Sequence, residues 1–265
     1  MPKQKINNVE IYYELKGEGN EYVAFLNGIG MTVNTWQPFA ERFFNDYKCL
    51  FHDARGQLMT GNTEGEYSME QHVEDFKQLL DFLEIDKIHV VGTSYGSEIS
   101  MIFAYTYPER VKTLCVIDGV SETDELMRRS VKAWQQSAKD GLESYFACVT
   151  PWVYSNTFLQ NNKEFFDNRV EQVRDVLSND YFTGFVKLCD SFLKLDITKK
   201  LKKIKCPTLV ITGELDLIKT VKFGKIIADN IPGAEFIILE DTGHAAVIER
   251  PDEVFSLLSK FIKEK

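Results

Sequence analysis

One five-residue turn limits the possible folds of this chain more than any other feature. Residues 92–96 read Gly-Thr-Ser-Tyr-Gly, follow a short apolar run at residues 88–91 and open a helical pattern. This order is typical of a sharp strand-to-helix turn that holds a serine hydroxyl away from the backbone. The turn strains its central residue and brings strand and helix so close that a Cβ at position 92 or 96 would clash. The same pattern also arises by chance, so its context decides its meaning.

Strand and helix patterns alternate on both sides of that turn. An Asn7-Asn8 pair before the first long strand predicts a hairpin. Buried strands separated by helices form a mainly parallel, doubly wound sheet, so the predicted fold class is α/β. The predicted strands cover residues 9–15, 22–26, 49–51, 87–91, 113–117, 208–212 and 235–239, and the predicted helices cover residues 69–83, 95–106 and 221–229 and begin again at Pro251.

The alternation stops in one long central segment. Residues 121–200 carry no strand pattern, only helical ones, for example at residues 166–177 and 182–192. We interpret the segment as a helical insertion rather than a separately folding domain. The predicted organisation is therefore a core formed by residues 1–120 and 201–265 with a cap formed by residues 121–200.

Composition and charge limit the class of partner. The net charge of −9 disfavours nucleic acid and anionic membranes, and no apolar run approaches the length of a membrane span. Residues 1–15 lack the apolar stretch of a signal peptide and instead predict a strand pair, so we expect a cytoplasmic protein. The five cysteines are scattered singly, which indicates free thiols in a reducing compartment. The oligomeric state, monomer or homodimer, stays open.

A serine hydroxyl needs an adjacent base to become a nucleophile, and only four histidines are available. We interpret His72 as lying on the polar side of a helix, His89 as lying inside a strand and His52 as ending an earlier strand. His244 follows the last predicted strand in a loop. Because the carboxyl ends of parallel strands share one edge of the sheet, chain direction predicts that His244 alone lies close to Ser94.

The acid partner is found by the same reasoning. The loop after the strand at residues 208–212 contains Asp216, which can reach the far ring nitrogen of His244. Two carboxylates compete for this role: Asp118 follows the strand next to the serine strand, and Glu214 shares the loop of Asp216. Asp216 is the preferred acid, and the resulting chain order of serine, aspartate and histidine is that of α/β-hydrolases.

Acyl transfer at a serine also needs hydrogen-bond donors for the developing oxyanion. The backbone N–H of Tyr95 lies at the predicted N-terminus of a helix, where the dipole favours negative charge. The loop at residues 27–31 reads Asn-Gly-Ile-Gly-Met and follows a buried strand. Its two glycines allow it to fold over the site, so the backbone N–H of Ile29 is the expected second donor.

With these residues in place, the whole chain resembles the α/β-hydrolase superfamily, in particular its compact members with a helical cap after the sixth strand. Within it, the chain is similar to the bacterial group of oxoadipate enol-lactonases, carboxylesterases and related hydrolases. The resemblance implies Ser94 as nucleophile, Asp216 as acid, His244 as base, and Ile29 and Tyr95 as oxyanion donors. The matching stretches are residues 27–30, 53–57, 92–96, 107–111, 206–216 and 243–244.

Some positions depart from the pattern of the family. Many relatives carry histidine where Asn27 and Thr93 stand and glycine where Ser97 stands, but none of these changes removes a catalytic group. Glu98 lies in the first turn of the predicted helix after the serine, and we interpret it as a structural carboxylate that complements the helix dipole.

The expected function is a cofactor-independent serine hydrolase that cleaves a small carboxylic ester or lactone through an acyl-enzyme. The same residues could cleave a thioester or a carbon–carbon bond, and a ligand-binding homologue with little turnover is an alternative on the same fold. Arg128 and Arg129 are candidates for binding an acidic substrate, although two such arginines are more often solvated.

The sequence contains no pattern that is typical of a cofactor-binding site. The histidines and cysteines lack the spacing of metal ligands, and no glycine-rich dinucleotide motif follows a strand. A serine at position 94 also disfavours the chemistry of relatives that use an aspartate there, such as epoxide hydrolases and dehalogenases. We therefore expect neither metal nor redox cofactor.

Overall fold

In a computed structural model that describes residues 3–265, eight strands form one sheet in the order β1-β2-β4-β3-β5-β6-β7-β8. β2 runs antiparallel to β1 and β4, and the remaining neighbours are parallel. The predicted α/β class is therefore confirmed, whereas residues 1 and 2 of the predicted strand pair lie outside the described residues. The strands are β1 Lys3–Ile6, β2 Val9–Lys16, β3 Glu21–Leu26, β4 Tyr47–His52, β5 Ile88–Thr93, β6 Val111–Ile117, β7 Thr208–Gly213 and β8 Glu235–Leu239.

Asn7 and Asn8 form the two-residue turn between β1 and β2. Their φ angles are 46° and 65°. A two-residue hairpin turn favours positive φ at both central positions because its twist then matches that of the strands, and asparagine tolerates that region better than most residues. Ile6 pairs with Val9 across the turn, so the predicted hairpin is confirmed.

Helices cover both faces of the sheet, and none within residues 3–265 is long and apolar enough to cross a membrane. Short 3₁₀ turns lie at Glu41–Phe43, Pro108–Arg110 and Thr198–Lys203. The α-helices are α1 Val33–Ala40, α2 Met69–Phe82, α3 Tyr95–Thr106, α4 Glu125–Asp140, α5 Leu142–Val153, α6 Asn156–Asn161, α7 Lys163–Asp167, α8 Arg169–Val173, α9 Asn179–Phe192, α10 Val221–Asn230, α11 Ala246–Glu249 and α12 Pro251–Lys263.

The central strands are buried on both faces, which explains their continuous apolar runs. In β3, Ala24 and Leu26 belong to the core shared with α2, α3 and α10, whereas Val23 and Phe25 belong to the core shared with α1 and α12. Alternate side chains of one strand therefore stabilise two separate layers of helices.

Helices α4 to α9 lie between β6 and β7 and form the helical insertion. An antiparallel bridge joins Glu122 to Asp196, and the Ile197 N–H donates to Ser121 O at 2.8 Å. These contacts lie next to the predicted boundaries at residues 121 and 200, and the division itself stays a prediction. The helical pattern at residues 166–177 is divided at Asn168 into two short helices rather than forming one.

Candidate active site

Ser94 lies at the tip of the turn between β5 and α3. Its φ of 50° and ψ of −118° fall in a region that residues other than glycine rarely adopt. A Cβ built on Gly92 would lie 2.4 Å from Gly96 O, and one built on Gly96 would lie 2.2 Å from Leu26 O. Close approach of backbone to backbone therefore requires both glycines. Ser94 itself is only partly buried.

Three side chains from the carboxyl ends of β5, β7 and β8 form one hydrogen-bonded chain. Ser94 Oγ lies 2.9 Å from His244 Nε2, and His244 Nδ1 lies 2.7 Å from Asp216 Oδ2. Because Nδ1 faces a carboxylate, it carries the ring proton and donates it, which leaves Nε2 as an acceptor for the serine proton. The structure thus brings together the three residues that chain direction placed at one edge of the sheet.

The loop after β7 fixes the orientation of the Asp216 carboxylate. Its Oδ1 accepts the backbone N–H groups of Ile218 and Lys219, each at 2.8 Å, and the other oxygen faces His244. Glu214, the alternative in the same loop, is exposed and accepts the Asp241 N–H at 3.0 Å. Asp216 is therefore the carboxylate of this loop that orients the imidazole.

Asp118, the other alternative, has a different set of contacts. It is fully buried, and its two oxygens accept the N–H groups of Gly213 at 3.0 Å and Ala246 at 3.3 Å. Burial, reinforced by the negative charge of Asp216, raises the pKa of Asp118 to about 8. Asp118 therefore connects the loop of Asp216 to the segment that follows His244, and its burial favours the protonated carboxyl.

Opposing influences act on the imidazole of His244. Burial lowers its pKa, but the charge and hydrogen bond of Asp216 raise it, and the result is a pKa above the ordinary 6.5. The negative charge of Asp216 therefore stabilises the protonated imidazole of His244.

Ligand atoms of Asp118, Asp216 and His244 lie within 4.8 Å of one another, as a metal site would require. The oxygens of both carboxylates, however, already accept backbone N–H groups or face the imidazole. These donors carry partial positive charge and occupy the lone pairs that a cation would need. The donor set thus fits a proton relay better than a metal ion.

The loop at residues 27–31 lies against the serine. A Cβ built on Gly28 would lie 3.4 Å from Ser94 Cβ. Gln57 Nε2 donates to Gly28 O at 2.9 Å, and Asn27 Nδ2 donates to Asp53 Oδ1 at 2.9 Å. Since the C=O and N–H of a trans peptide point in opposite directions, the bond from Gln57 also sets the direction of the Ile29 N–H.

Two backbone donors near the serine are unpaired. Neither the Ile29 N–H nor the Tyr95 N–H has an acceptor within residues 3–265. Tyr95 is the first residue of α3, where free N–H groups carry the positive end of the helix dipole. Both N–H groups can therefore donate a hydrogen bond to an anionic oxygen.

The helical insertion covers this edge of the sheet. The hydroxyls of Tyr145 in α5 and Tyr181 in α9 lie 3.3 Å and 3.8 Å from a Cβ built on Gly30. Val153 O, at the end of α5, accepts the Ala245 N–H at 3.2 Å. The insertion thus contacts both the loop at residues 27–31 and the loop that carries His244.

Comparisons with known proteins agree with this arrangement. Residues 22–251 match the family described as the alpha/beta hydrolase fold. The chain belongs to this family. It is 25% identical to 3-oxoadipate enol-lactonase 1 of Acinetobacter baylyi, covering 91% of this chain and 88% of that protein. It is 24% identical to RutD of Azorhizobium caulinodans, whose name provisionally assigns it carbamate hydrolysis, over 100% and 99% of the two chains.

A solved structure matches the whole fold. MGS-M2, an alpha/beta hydrolase enzyme from a Medee basin deep-sea metagenome library, is 28% identical and superimposes with a TM-score of 0.95 over 100% of this chain and 98% of that one. Family and relatives together show that the present chain is a hydrolase. The resemblance inferred from the sequence motifs is thereby confirmed.

One buried ion pair of the hydrolase carries no signal in the sequence. Lys219 Nζ lies 2.8 Å from Glu98 Oε2, and the two side chains are 4% and 0% exposed. Glu98 also accepts the Val120 N–H at 2.9 Å, and the Lys219 ammonium lies over the ring of Phe192. Glu98 is therefore structural, and its partner is an ammonium group in the loop of Asp216.

Arg128 and Arg129 lie on the exposed side of α4. Arg128 donates to Leu193 O at 3.0 Å, and Arg129 pairs with Glu125 on the same helix at 2.9 Å. Both guanidinium groups are thus engaged at the surface, and the role in binding an acidic substrate has no support from these contacts.

The other three histidines of the hydrolase are buried away from the serine relay. The prediction that His72 lies on the polar side of its helix is wrong, because this residue is 1% exposed. Burial lowers the pKa of His72 to about 3 and that of His52 to about 4, so both are neutral. His89 lies inside β5 and contacts Thr113.

Proposed function

We propose that this hydrolase cleaves small carboxylic esters or lactones, without a cofactor, through an acyl-enzyme on Ser94. His244 acts as general base and acid, Asp216 orients the imidazole, and the N–H groups of Ile29 and Tyr95 bind the oxyanion. The observation that carries the proposal is the chain of two hydrogen bonds from Ser94 Oγ through His244 to Asp216, at 2.9 and 2.7 Å.

In the first half-reaction, Ser94 Oγ attacks the carbonyl carbon while His244 Nε2 takes the hydroxyl proton. The carbonyl oxygen becomes an anion that the two free N–H groups stabilise. Collapse of this intermediate breaks the bond to the leaving alkoxide, which receives the proton from His244. An ester of Ser94 remains.

In the second half-reaction, water replaces the alcohol. His244 takes a proton from the water as it attacks the acyl carbon, a second oxyanion forms in the same place, and Ser94 leaves with that proton. The products are the carboxylic acid and the alcohol, or one hydroxy acid when the substrate is a lactone. Asp216 stabilises the imidazolium that forms in both halves.

The leaving group and the relatives both support an ester or a lactone as the substrate. In the proposed mechanism His244 is the proton donor for the leaving group, and a single imidazolium can protonate an alkoxide oxygen directly. The names of relatives include an enol-lactonase, which supports a lactone or ester, and a carbamate hydrolase. A thioester or a carbon–carbon bond would use the same relay.

Ser94→Ala tests the proposal. We expect the rate of nitrophenyl ester hydrolysis to fall by about 10⁴-fold or more, because the nucleophile is lost, while the variant stays folded. Ser256→Ala on the exposed side of α12 is the matched control and should keep its rate. A fluorophosphonate probe should label the wild type and the control but not Ser94→Ala.

A panel of nitrophenyl esters, lactones and thioesters then ranks the substrate classes. Near-normal turnover by Ser94→Ala would refute the serine mechanism. Probe labelling without multiple turnover on any member of the panel would instead identify a ligand-binding homologue.

A further inference from the structure

A cleft of about 580 Å³ lies at the edge of the sheet opposite to Ser94. It is lined by residues at the amino ends of β3 to β6 and just before β7, whereas the serine relay follows the carboxyl ends. The length of β5 separates the two edges by roughly 16 Å at about 3.3 Å per residue. The cleft is therefore distinct from the site of hydrolysis, and its volume is in the range of small-molecule sites.

Positive charge is concentrated in this cleft although the chain as a whole carries −9. Five lysines line it against one glutamate, Glu21. Lys112 pairs with Glu21, and Lys263 pairs with Asp46 at 2.9 Å. Lys265 lies 3.7 Å from Glu235, whereas none of the ion pairs within residues 3–265 involves Lys87 or Lys205. The cleft thus has ammonium groups that are available to a ligand.

A buried imidazole faces Glu21 in this cleft. His89 is 2% exposed, and its Nδ1 lies 2.8 Å from Thr113 Oγ1. Its Nε2 is also buried and lies 3.5 Å from Glu21 Oε2. An Nε2 that faces a carboxylate is favoured as N–H rather than as a lone pair. The imidazole of His89 therefore interacts with Glu21, and the lysines are the groups of this cleft that a ligand can reach.

We propose that this cleft binds a compact polyanion that carries two or more phosphate groups. The lining cations are all lysines, which act as point charges and therefore favour a ligand of high charge density over one that needs the bidentate fork of arginine. Lys87 and Lys205 neutralise separate phosphates. Glu21 opposes binding through its charge and through its hold on Lys112.

Calorimetric titration with tripolyphosphate at low ionic strength tests the site. Lys87→Gln/Lys205→Gln should weaken binding by about tenfold, since two ammonium contacts are lost. Lys132→Gln/Lys139→Gln on the exposed face of α4 removes the same charge elsewhere and should change the affinity less than twofold. Glu21→Gln should strengthen binding several-fold, because it removes a negative charge and releases Lys112.

Two further readouts separate this site from general charge attraction. The Nε2 resonance of His89, which faces Glu21, should shift on saturation with tripolyphosphate. Orthophosphate and citrate should bind more weakly than tripolyphosphate does. The proposal is overturned if binding is not saturable, if the α4 double variant weakens it equally, or if citrate binds as tightly as tripolyphosphate. Circular dichroism of each variant verifies that it is folded.

Discussion

At the scale of single residues, Gln57 holds the loop at residues 27–31, which carries the proposed oxyanion donor Ile29. Gln57 Nε2 donates to Gly28 O, while Gln57 Oε1 accepts from Asn27 Nδ2 at 3.0 Å and from the Ala54 N–H at 2.9 Å. The buried amide thus fixes one peptide plane and, with it, the direction of one catalytic donor in the proposed mechanism.

Gln57→Leu should therefore lower kcat while KM changes little. Without the bond to Gly28 O, the Ile29 N–H is less well aligned with the oxyanion, and we expect a loss of about tenfold, less than the 10²–10³ that loss of a whole donor costs. Steady-state kinetics measure the split between kcat and KM. Gln136→Leu on the exposed face of α4 is the control. A rise in KM alone would show that Gln57 acts on substrate binding.

The raised pKa of His244 predicts the pH dependence of hydrolysis. Only the neutral imidazole can take the serine proton, so kcat/KM should rise with pH through a midpoint above 6.5. Asp216→Asn removes the main influence that raises this pKa, so the midpoint should move down. The plateau should fall by about 10⁴-fold, as for the same triad in serine proteases.

Rate profiles from pH 5 to 9 check this expectation, with Glu214→Gln as a control from the same loop. An unchanged profile for Asp216→Asn, with the loss appearing in Asp118→Asn instead, would assign the acid to Asp118.

At the scale of elements, α3 and the loop of Asp216 are joined by the ion pair of Glu98 and Lys219. Both side chains are buried, and the backbone N–H of Lys219 also donates to Asp216. A buried charge that loses its partner is costly because it can neither reach water nor a counter-ion. This ion pair therefore couples α3, which follows Ser94, to the loop that contains Asp216.

Lys219→Met should destabilise the fold by about 3–5 kcal/mol, because it leaves the Glu98 carboxylate buried alone. The double variant Glu98→Leu/Lys219→Met should lose less, since no charge stays uncompensated. Denaturant unfolding measures both. Lys225→Met removes an exposed pair with Asp229 and should cost less than about 1 kcal/mol. Equal losses in the single and double variants would contradict a role for the lone charge.

The elements also show what the sequence could and could not predict. The hairpin at Asn7-Asn8, the strands of the sheet and the edge shared by Ser94, Asp216 and His244 follow from period, turn residues and strand direction. The ion pair of Lys219 with Glu98 could not be predicted, because the two residues lie 121 positions apart and an ion pair leaves no periodic pattern in the sequence.

One missed helix and one wrong prediction have local reasons. Helix α1 buries Val33, Trp36, Phe39 and Ala40 but contains Pro38, which reads as a helix breaker. His72 lies three residues after Met69 and four before Phe76, so its spacing places it on the apolar face of α2. The prediction was wrong because it followed the polarity of histidine rather than its spacing in the helix.

At the scale of the whole molecule, the sheet separates two chemical environments. The carboxyl edge carries the serine relay beneath the helical insertion, and the amino edge carries the lysine-lined cleft. Between them the core contains His72, packed against the rings of Tyr67 and Tyr95 with neither ring nitrogen hydrogen-bonded within residues 3–265. Stability of the entire chain therefore depends on keeping this imidazole neutral.

His72→Phe should reduce the sensitivity of the fold to acid. The folded pKa of His72 is about 3, against 6.5 for an unfolded chain, so both forms are neutral above pH 6.5. Below that pH His72 is protonated in the unfolded chain but stays neutral in the folded chain. The free energy of unfolding therefore falls by about 1.4 kcal/mol for each pH unit by which the pH is lowered. Between pH 7.5 and 5 the wild type should thus lose about 2 kcal/mol relative to His72→Phe.

Denaturant unfolding at several pH values measures this difference, with Phe103→Leu as a buried substitution whose effect on stability should not depend on pH. A constant difference between wild type and His72→Phe from pH 7.5 to 5 would mean that the imidazole is protonated inside the folded chain. The packing against Tyr67 and Tyr95 would then have to open to admit water or a counter-ion, which proton exchange at Tyr95 would detect.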